Sequence, residues 1–197
     1  MGEQWNSEVL EAGRALAEYH AEWAIAGGWA LDLFLNRPTR AHADVDVAVW
    51  RADQATLWSA LPVWRFEVAD AGVLRPWGSN EWLTPPVHEI HAARPDSSTI
   101  EFLLNERDAS HWIYRRDHRI RRDLKATICW RGSIPYLAPE IALLYKSKAP
   151  RPTDDADFAM VAPALSREQR DWLRAAIASS NGRHQWLSRL EAPPNDR

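Results

Sequence analysis

Apolar residues recur three and four positions apart at Val9, Ala12, Leu16, Tyr19 and Trp23, which predicts an amphipathic helix over residues 7–23. The period then shortens. Ala24-Ile25-Ala26 predicts a short buried strand ended by Gly27-Gly28, and residues 29–35 a helix closed by Pro38. Residues 43–50 alternate as a strand does, so Val45, Val47 and Val49 face one way and Asp44 and Asp46 the other. Asp53 reads as the cap of a helix reaching Leu61, and residues 63–68 as another strand. Residues 71–84, with Gly72, Pro76 and Gly78, read as a loop. Residues 87–93 and 99–105 read as strands joined by a turn at 94–98. Residues 117–130 are rich in charge and fit no period. Pro139 stands where a first-turn proline belongs, which predicts a helix over 140–148. Thr153 then reads as the cap of a helix over 154–161. Ser166 and Gln169 have capping-box form, for a helix stopping near Asn181-Gly182. The tail after Glu191, with Pro193-Pro194, reads as frayed. Strands dominate the first part and helices the last. The expected fold is α+β: a mixed β-sheet flanked by helices over residues 1–135, then a helical C-terminal region over 136–197.

Composition narrows the class. A chain of 197 residues with 46% hydrophobic content can bury one substantial core. A net charge of −3 gives no electrostatic footing for nucleic acid as a partner. The single cysteine, Cys129, lies between Ile128 and Trp130. It rules out an internal disulfide or a cysteine-cluster zinc site and reads as a buried, inert thiol. No apolar run approaches a membrane span and no signal-peptide pattern opens the chain, so the expected setting is cytoplasmic. Most of the 12 tryptophans read as core.

Asp44 and Asp46 change the picture. Two carboxylates on one strand face repel each other unless a cation neutralises them. Mg²⁺ is the natural candidate, a hard ion that shares its shell with substrate phosphates. Gly27-Gly28, after a strand and before a helix, is the context in which a phosphate approaches backbone N–H groups. It is not a Walker loop, since no Gly-Lys-Ser/Thr follows. Together these features point to metal-assisted chemistry on a nucleoside triphosphate.

Gly27-Gly28-Trp29-Ala30-Leu31-Asp32, followed by Thr39-Arg40-x-His42-x-Asp44-x-Asp46, resembles the small antibiotic nucleotidyltransferases of the polymerase-beta-like superfamily. The closest likeness is to the aminoglycoside 2''-adenylyltransferase and lincosamide nucleotidyltransferase group. It extends from about Trp23 to Phe158, and its specific motif lies between Ala26 and Trp50. A two-metal site needs a third carboxylate on a neighbouring strand. Glu101 meets that demand within Ile100-Glu101-Phe102-Leu103-Leu104, where an unpaired charge is costly. The resemblance implies a third carboxylate on a later strand of this kind. Glu89 is its rival.

Arg40 and His42 precede the aspartates by even spacings. Arg40 is a candidate to neutralise triphosphate charge, and His42 to hydrogen-bond backbone or an aspartate. The resemblance marks Leu144-Tyr145-Lys146-Ser147-Lys148 and Asp154-Asp155-Ala156-Asp157-Phe158 as a recurring helical segment, from which Lys146 or Lys148 reaches the triphosphate. Asp154 and Asp157 read as acids at a helix N-terminus, with a salt bridge to such a lysine or to Arg151 as the alternative. His88-Glu89-Ile90-His91 lacks the spacing of a helical zinc motif, and on a strand the two histidines face apart. Arg115, Arg116, Arg119, Arg121 and Arg122, interrupted by Asp117 and Asp123, read as a solvated, salt-bridged face. Glu89, Glu106 and Asp108 are acids that could line the site of an ammonium-bearing acceptor.

The expected activity is Mg²⁺-dependent transfer of a nucleoside monophosphate, AMP from ATP, to a hydroxyl of a small molecule such as an aminoglycoside. Asp44, Asp46 and Glu101 would be catalytic and metal-holding. Gly27, Gly28, Arg40, His42, Lys146 and Lys148 would bind nucleotide. Two alternatives carry the same fold: a non-catalytic, antitoxin-like protein that binds a protein partner, and an enzyme that nucleotidylates protein or RNA.

Overall fold

The computed structural model describes residues 7–96 and 98–191, so the tail expected to fray lies outside the described residues, as does Ser97 within the 94–98 turn. In chain order the elements are α1 (Ser7–Ala15), β1 (Trp23–Ile25), α2 (Gly27–Leu35), β2 (Asp46–Trp50), α3 (Thr56–Ala60), β3 (Arg65–Asp70), β4 (Val73–Pro76), β5 (Glu89–Ala93), β6 (Thr99–Arg107), β7 (His111–Ile113), β8 (Arg121–Asp123), β9 (Ile128–Arg131), β10 (Ile134–Leu137), α4 (Pro139–Lys146), α5 (Pro152–Val161), α6 (Arg167–Ser180) and α7 (Trp186–Glu191). The α+β expectation with helices gathered at the C-terminal end is met.

The main sheet runs β4-β3-β5-β6-β2-β1-β10-β9, and the far end of β6 also pairs with β7, which pairs with β8. β2 and β6 are parallel, as are β1 and β10; the other pairs are antiparallel. Alternation puts Val47, Val49, Ile90, Ala92, Phe102 and Leu104 on one face, all buried. The opposite face carries Asp46, Glu89, His91 and Glu101, each partly exposed. α2 packs against α4 and α5, and α4 against α6, behind that polar face's open end.

Several boundaries move from their expected places. The first helix stops at Ala15 rather than Trp23, because Trp23, Ala24 and Ile25 pair with Val49, Ala48 and Val47. Ladder hydrogen bonds win there over a helical period. Asp53 caps no α-helix. It lies in a 3-10 turn, its carbonyl accepts from the Thr56 hydroxyl, and its carboxylate faces Arg107 at 3.6 Å. The expected 71–84 loop contains β4, and the unassigned 117–137 stretch contains β8, β9 and β10. α4 ends at Lys146, so Lys148 lies beyond it. α5 starts with Pro152 at its first position, and the Arg151 N–H donates to Asp154 Oδ2 at 3.0 Å, so Thr153 is not its cap. The Ser166–Gln169 capping box forms in both directions. α7 follows it, with Trp186 stacked on Phe158 at 4.2 Å.

Candidate active site

The carboxylates meet where β2 and β6 lie side by side. Asp46 and Glu101 are register partners across the parallel pair, so they share one face and one row. His91 is register partner of Glu101 from the other side. Asp44 is not on the strand. It sits in an exposed bend just before β2 and lines a groove of about 700 Å³ at the sheet's end. It still acts on the row: it raises the pKa of both Asp46 and Glu101. Burial first, then Asp44 and Glu101, push the Asp46 carboxyl up to about 7, against an opposing pull from Lys146. Glu101 is likewise raised, by burial first, with His91 opposing and Asp44 and Glu89 adding.

The segment that delivers these acids braces itself. Gly27 has φ +58, and a Cβ there would lie 1.9 Å from Asp46 Oδ2. A Cβ on Gly28 would lie 2.3 Å from the His42 ring and 2.8 Å from Arg40 Nη2. Only glycine tolerates the first geometry without strain, and neither site has room for a side chain. Trp29 donates from Nε1 to the Asp44 carbonyl at 3.1 Å, and its ring lies 4.3 Å from that of His42. Asp32, fully buried, accepts from the Thr39 hydroxyl and contacts His42 Nε2 at 2.8 Å. Arg40 and His42 therefore lie in a loop tied to α2, not on an extension of β2. Asp32 stood in the motif without a role; its signal was a carboxylate inside an otherwise apolar helical run.

Arg40 forms a bidentate pair with Asp157, Nε–Oδ1 at 3.0 Å and Nη2–Oδ2 at 3.1 Å. Lys146 Nζ reaches Asp154 Oδ1 at 2.7 Å and Asp157 Oδ2 at 3.0 Å, and Arg151 also holds Asp154. Burial alone would raise Asp157, but hydrogen bonds from Arg40 and Lys146 outweigh it and hold the carboxyl below its usual range. Asp154 and Asp157 are thus both nearly buried ion-pair partners, not solvated first-turn charges. Lys148 is exposed and makes no ion pair among the described residues.

A cleft of about 510 Å³ opens between Asp46 and the C-terminal helices; Glu101 does not line it, and Asp44 lines the other groove. Gly27, Asp46, Glu89, Lys146 and Lys148 line it, and so do Arg115, Arg116 and Tyr145, which the charge pattern did not single out. The rest of that arginine run is salt-bridged as expected, Arg119 to Asp117, Arg121 to Asp108 and Arg122 to Glu140 and Glu168, but Arg122 is buried against the buried Glu140 rather than solvated. Glu106 is engaged by Arg51 at 2.5 Å and Asp108 by Arg121 at 2.9 Å, so of the three acids considered for the acceptor only Glu89 faces the cleft. His91 Nε2 lies 3.1 Å from Glu89 and its Nδ1 3.2 Å from Glu101. One ligand atom from each of the three falls within 4.8 Å of the others, a grouping that could hold a metal ion. His88 is not part of it. The sequence spacing hid this grouping because Glu101 comes from a different strand.

Residues 8–71 match a family model described as aminoglycoside-2''-adenylyltransferase. No curated protein sequence matches the chain. Among solved structures, a solution structure of the antibiotic-resistance factor ANT(2'')-Ia is similar at 17% identity and a TM-score of 0.54, covering 89% of this chain and 92% of that one. A crystal structure of ANT(2'')-Ia in complex with adenylyl-2''-tobramycin is similar at 17% identity and a TM-score of 0.54, covering 89% and 99%. The lincomycin-bound lincosamide antibiotic adenylyltransferase LnuA is similar at 14% identity and a TM-score of 0.56, covering 80% and 96%. The fold is that of these nucleotidyltransferases, and the family match bears out the resemblance carried by residues 26–50. No helix among the described residues is long and apolar enough to cross a membrane.

Proposed function

We propose that this nucleotidyltransferase transfers a nucleoside monophosphate, AMP from ATP, to a hydroxyl group of a small antibiotic-like acceptor, with Mg²⁺ held by Asp44, Asp46 and Glu101. The observation that carries the reading is the register pairing of Asp46 with Glu101 on parallel strands, with Asp44 acting electrostatically on both. The donor set suits the ion in kind, although among the described residues the three carboxylates do not already lie within 4.8 Å of one another, as Glu89, His91 and Glu101 do, and would have to close on it. The set is all oxygen, as Mg²⁺ prefers, and Asp46 is pushed to about 7 when nothing but Lys146 offsets its neighbours. When bound, the metal supplies charge neutralisation at the phosphates and lowers the pKa of the acceptor oxygen.

The chain's own residues do the rest. Gly27 and Gly28 let the Asp46 carboxylate and the His42 ring lie directly against the turn, beside backbone N–H groups that a phosphate would approach. Asp32 fixes His42, so a phosphate meets an imidazole of set orientation. Glu101, register partner of Asp46, would take or position the acceptor proton; burial raises its pKa from the ordinary carboxylate value. Lys146 holds positive potential beside Asp46 while tied to Asp154 and Asp157, and Arg40 locks the same acids to the motif loop. Lys148 is free to meet phosphate at the rim. Positioning and neutralised charge would supply most of the rate.

The test is incubation with each nucleoside triphosphate, Mg²⁺ and a panel of hydroxylated antibiotics that includes tobramycin and lincomycin, read by mass spectrometry. An acceptor heavier by one nucleoside monophosphate, absent with Asp46→Asn, supports the reading. No modified small molecule under any nucleotide refutes it. A modified protein or RNA in the same assay would support the alternative target class instead.

A further inference from the structure

Five cationic side chains besides His88 line the 510 Å³ cleft: Arg115, Arg116, Lys146, Lys148 and Arg151. Lys146 and Arg151 are already matched to Asp154 and Asp157. Among the described residues, Arg115 and Arg116 are not matched to any carboxylate. Their two guanidinium groups sit beside the same aromatic ring, 5.5 Å and 5.6 Å from the centre of Tyr145. Arg116 Nη1 donates to the Tyr145 carbonyl at 3.1 Å and to the Tyr114 hydroxyl at 3.2 Å, so it is fixed by neutral groups only. Arg115 is half-buried, and among the described residues it makes no hydrogen bond or ion pair. Glu89 pulls the Arg115 pKa upward, more weakly than burial, Arg116, Tyr145 and Tyr114 act on it.

Two like charges held side by side and partly out of water are unfavourable until an anion joins them. The cost is visible in this chain: burial first, then Arg116, lower the Arg115 pKa, and the same pair helps lower that of His88 after burial. The contrast within one run of sequence is informative. Arg119, Arg121 and Arg122 each have an acid partner, and the two arginines that face the cleft have none.

We propose that Arg115 and Arg116, mounted on Tyr145, form the polyphosphate-binding pair of the cleft and take the phosphates that leave as pyrophosphate. The assignment rests on the nucleotidyl-transfer reading for the identity of the polyphosphate. Planar guanidinium groups bind phosphate oxygens in pairs, which a lone ammonium such as Lys148 does not. Asp46 on one wall and the arginine pair on the other define the line along which a triphosphate would lie.

The test uses inorganic tripolyphosphate, which carries no nucleoside and undergoes no transfer. Calorimetric titration of the wild-type protein should show binding, and Arg115→Gln and Arg116→Gln should each weaken it about tenfold or more, the loss expected for a charged hydrogen-bonded contact. Arg119→Gln, whose guanidinium pairs with Asp117, should leave it unchanged, as should AMP affinity in all three variants within about threefold. A second measurement needs no variant: phenylglyoxal modification of wild-type arginines, mapped by mass spectrometry. Tripolyphosphate should protect Arg115 and Arg116 and not Arg119. Unchanged affinity in both glutamine variants, or protection elsewhere in the chain, overturns the proposal. Protection of the pair in a protein that transfers no nucleotide would overturn the proposed function and leave this site standing. Transfer activity with an unprotected pair would do the reverse.

Discussion

The carboxylate row predicts an unusual stability effect for Asp46→Asn. In the metal-free protein, burial and the neighbouring Asp44 and Glu101 raise the Asp46 pKa from the ordinary 3.8 to about 7. An acid whose pKa is raised by folding stabilises the fold while protonated. That contribution is complete below pH 4 and is lost as pH rises through 7. A rise of about three units at about 1.4 kcal/mol each gives about 4 kcal/mol as the upper bound, and solvent at the open cleft lowers it toward about 2 kcal/mol. Asparagine keeps the shape and drops the charge. The backbone contact from the Ala26 N–H to the Asp46 carbonyl, at 2.8 Å, is untouched. The variant should therefore melt higher than wild type at pH 8, by about 5–10 °C for a chain of this size, and by much less near pH 4. Mg²⁺ should raise the wild-type melting temperature at pH 8 and raise the variant's far less. The assay is thermal melting across pH 4–8, with and without the metal. A variant that melts at or below wild type at pH 8, with no trend in the difference across pH, would refute the account of the row as a repelling cluster.

Glu101→Gln should lower turnover strongly while Mg·ATP affinity by calorimetry stays within a few-fold; if Glu89→Gln is the inactive variant instead, the base belongs to the row's other end. Gly27→Ala should lose about 1–2 kcal/mol from its left-handed φ alone and more from the displaced Asp46, read as a lower urea midpoint together with lost activity. Gly28→Val, at a position without positive φ, should still unfold cooperatively but bind ATP more weakly, because its side chain occupies the place of the His42 ring; unchanged affinity in calorimetry would make the turn purely structural. Asp157→Asn strips the shared partner of Arg40 and Lys146, and, with the Arg40 side chain 29% exposed, should cost about 1–3 kcal/mol in urea unfolding.

What could be read from the sequence follows from the range of the interactions. The stretch from Gly27 to Asp46 was legible because its contacts are local: Gly27 against Asp46, Gly28 against His42, Trp29 to Asp44, Asp32 to Thr39 and His42. The strand bearing Glu101 was legible because a charge inside Ile100–Leu104 has to face something other than core. Asp44 was misplaced onto the strand because alternation of side chains does not reveal where a bend ends and pairing begins. β9 and β10 do not stand out in the sequence because each is only four residues long; they pair with each other as a hairpin, Arg131 opposite Ile134, and only β10 takes a distant partner, β1. Arg115 and Arg116 looked like Arg119, Arg121 and Arg122 in sequence. Only the fold shows which arginines find acids and which face the cleft.

The two ion-pair systems of the cleft have different consequences for the chemistry. Arg40, Lys146 and Arg151 are mostly offset by Asp154 and Asp157, three cations to two carboxylates, so they join the motif loop to the start of α5 and add less attraction for an incoming anion than unmatched cations do. Arg115 and Arg116 keep their charge and add much. Asp46 and Glu89, which line the same cleft, carry the reverse imbalance: Asp44 and Glu101 add to the repulsion at Asp46, and His91 pairs with Glu89 and Glu101. Each group is therefore unfavourable alone, and on the proposed function a metal–triphosphate complex would relieve both at once. A free nucleotide without metal would leave the acids repelling its phosphates, and a free metal would leave the arginines unmatched. Binding of the two should accordingly be cooperative. Titration of ATP by calorimetry with and without Mg²⁺ should give a higher affinity with the metal, and the gain should shrink in Asp46→Asn. Equal affinity in the presence and absence of metal would show that the two groups act independently.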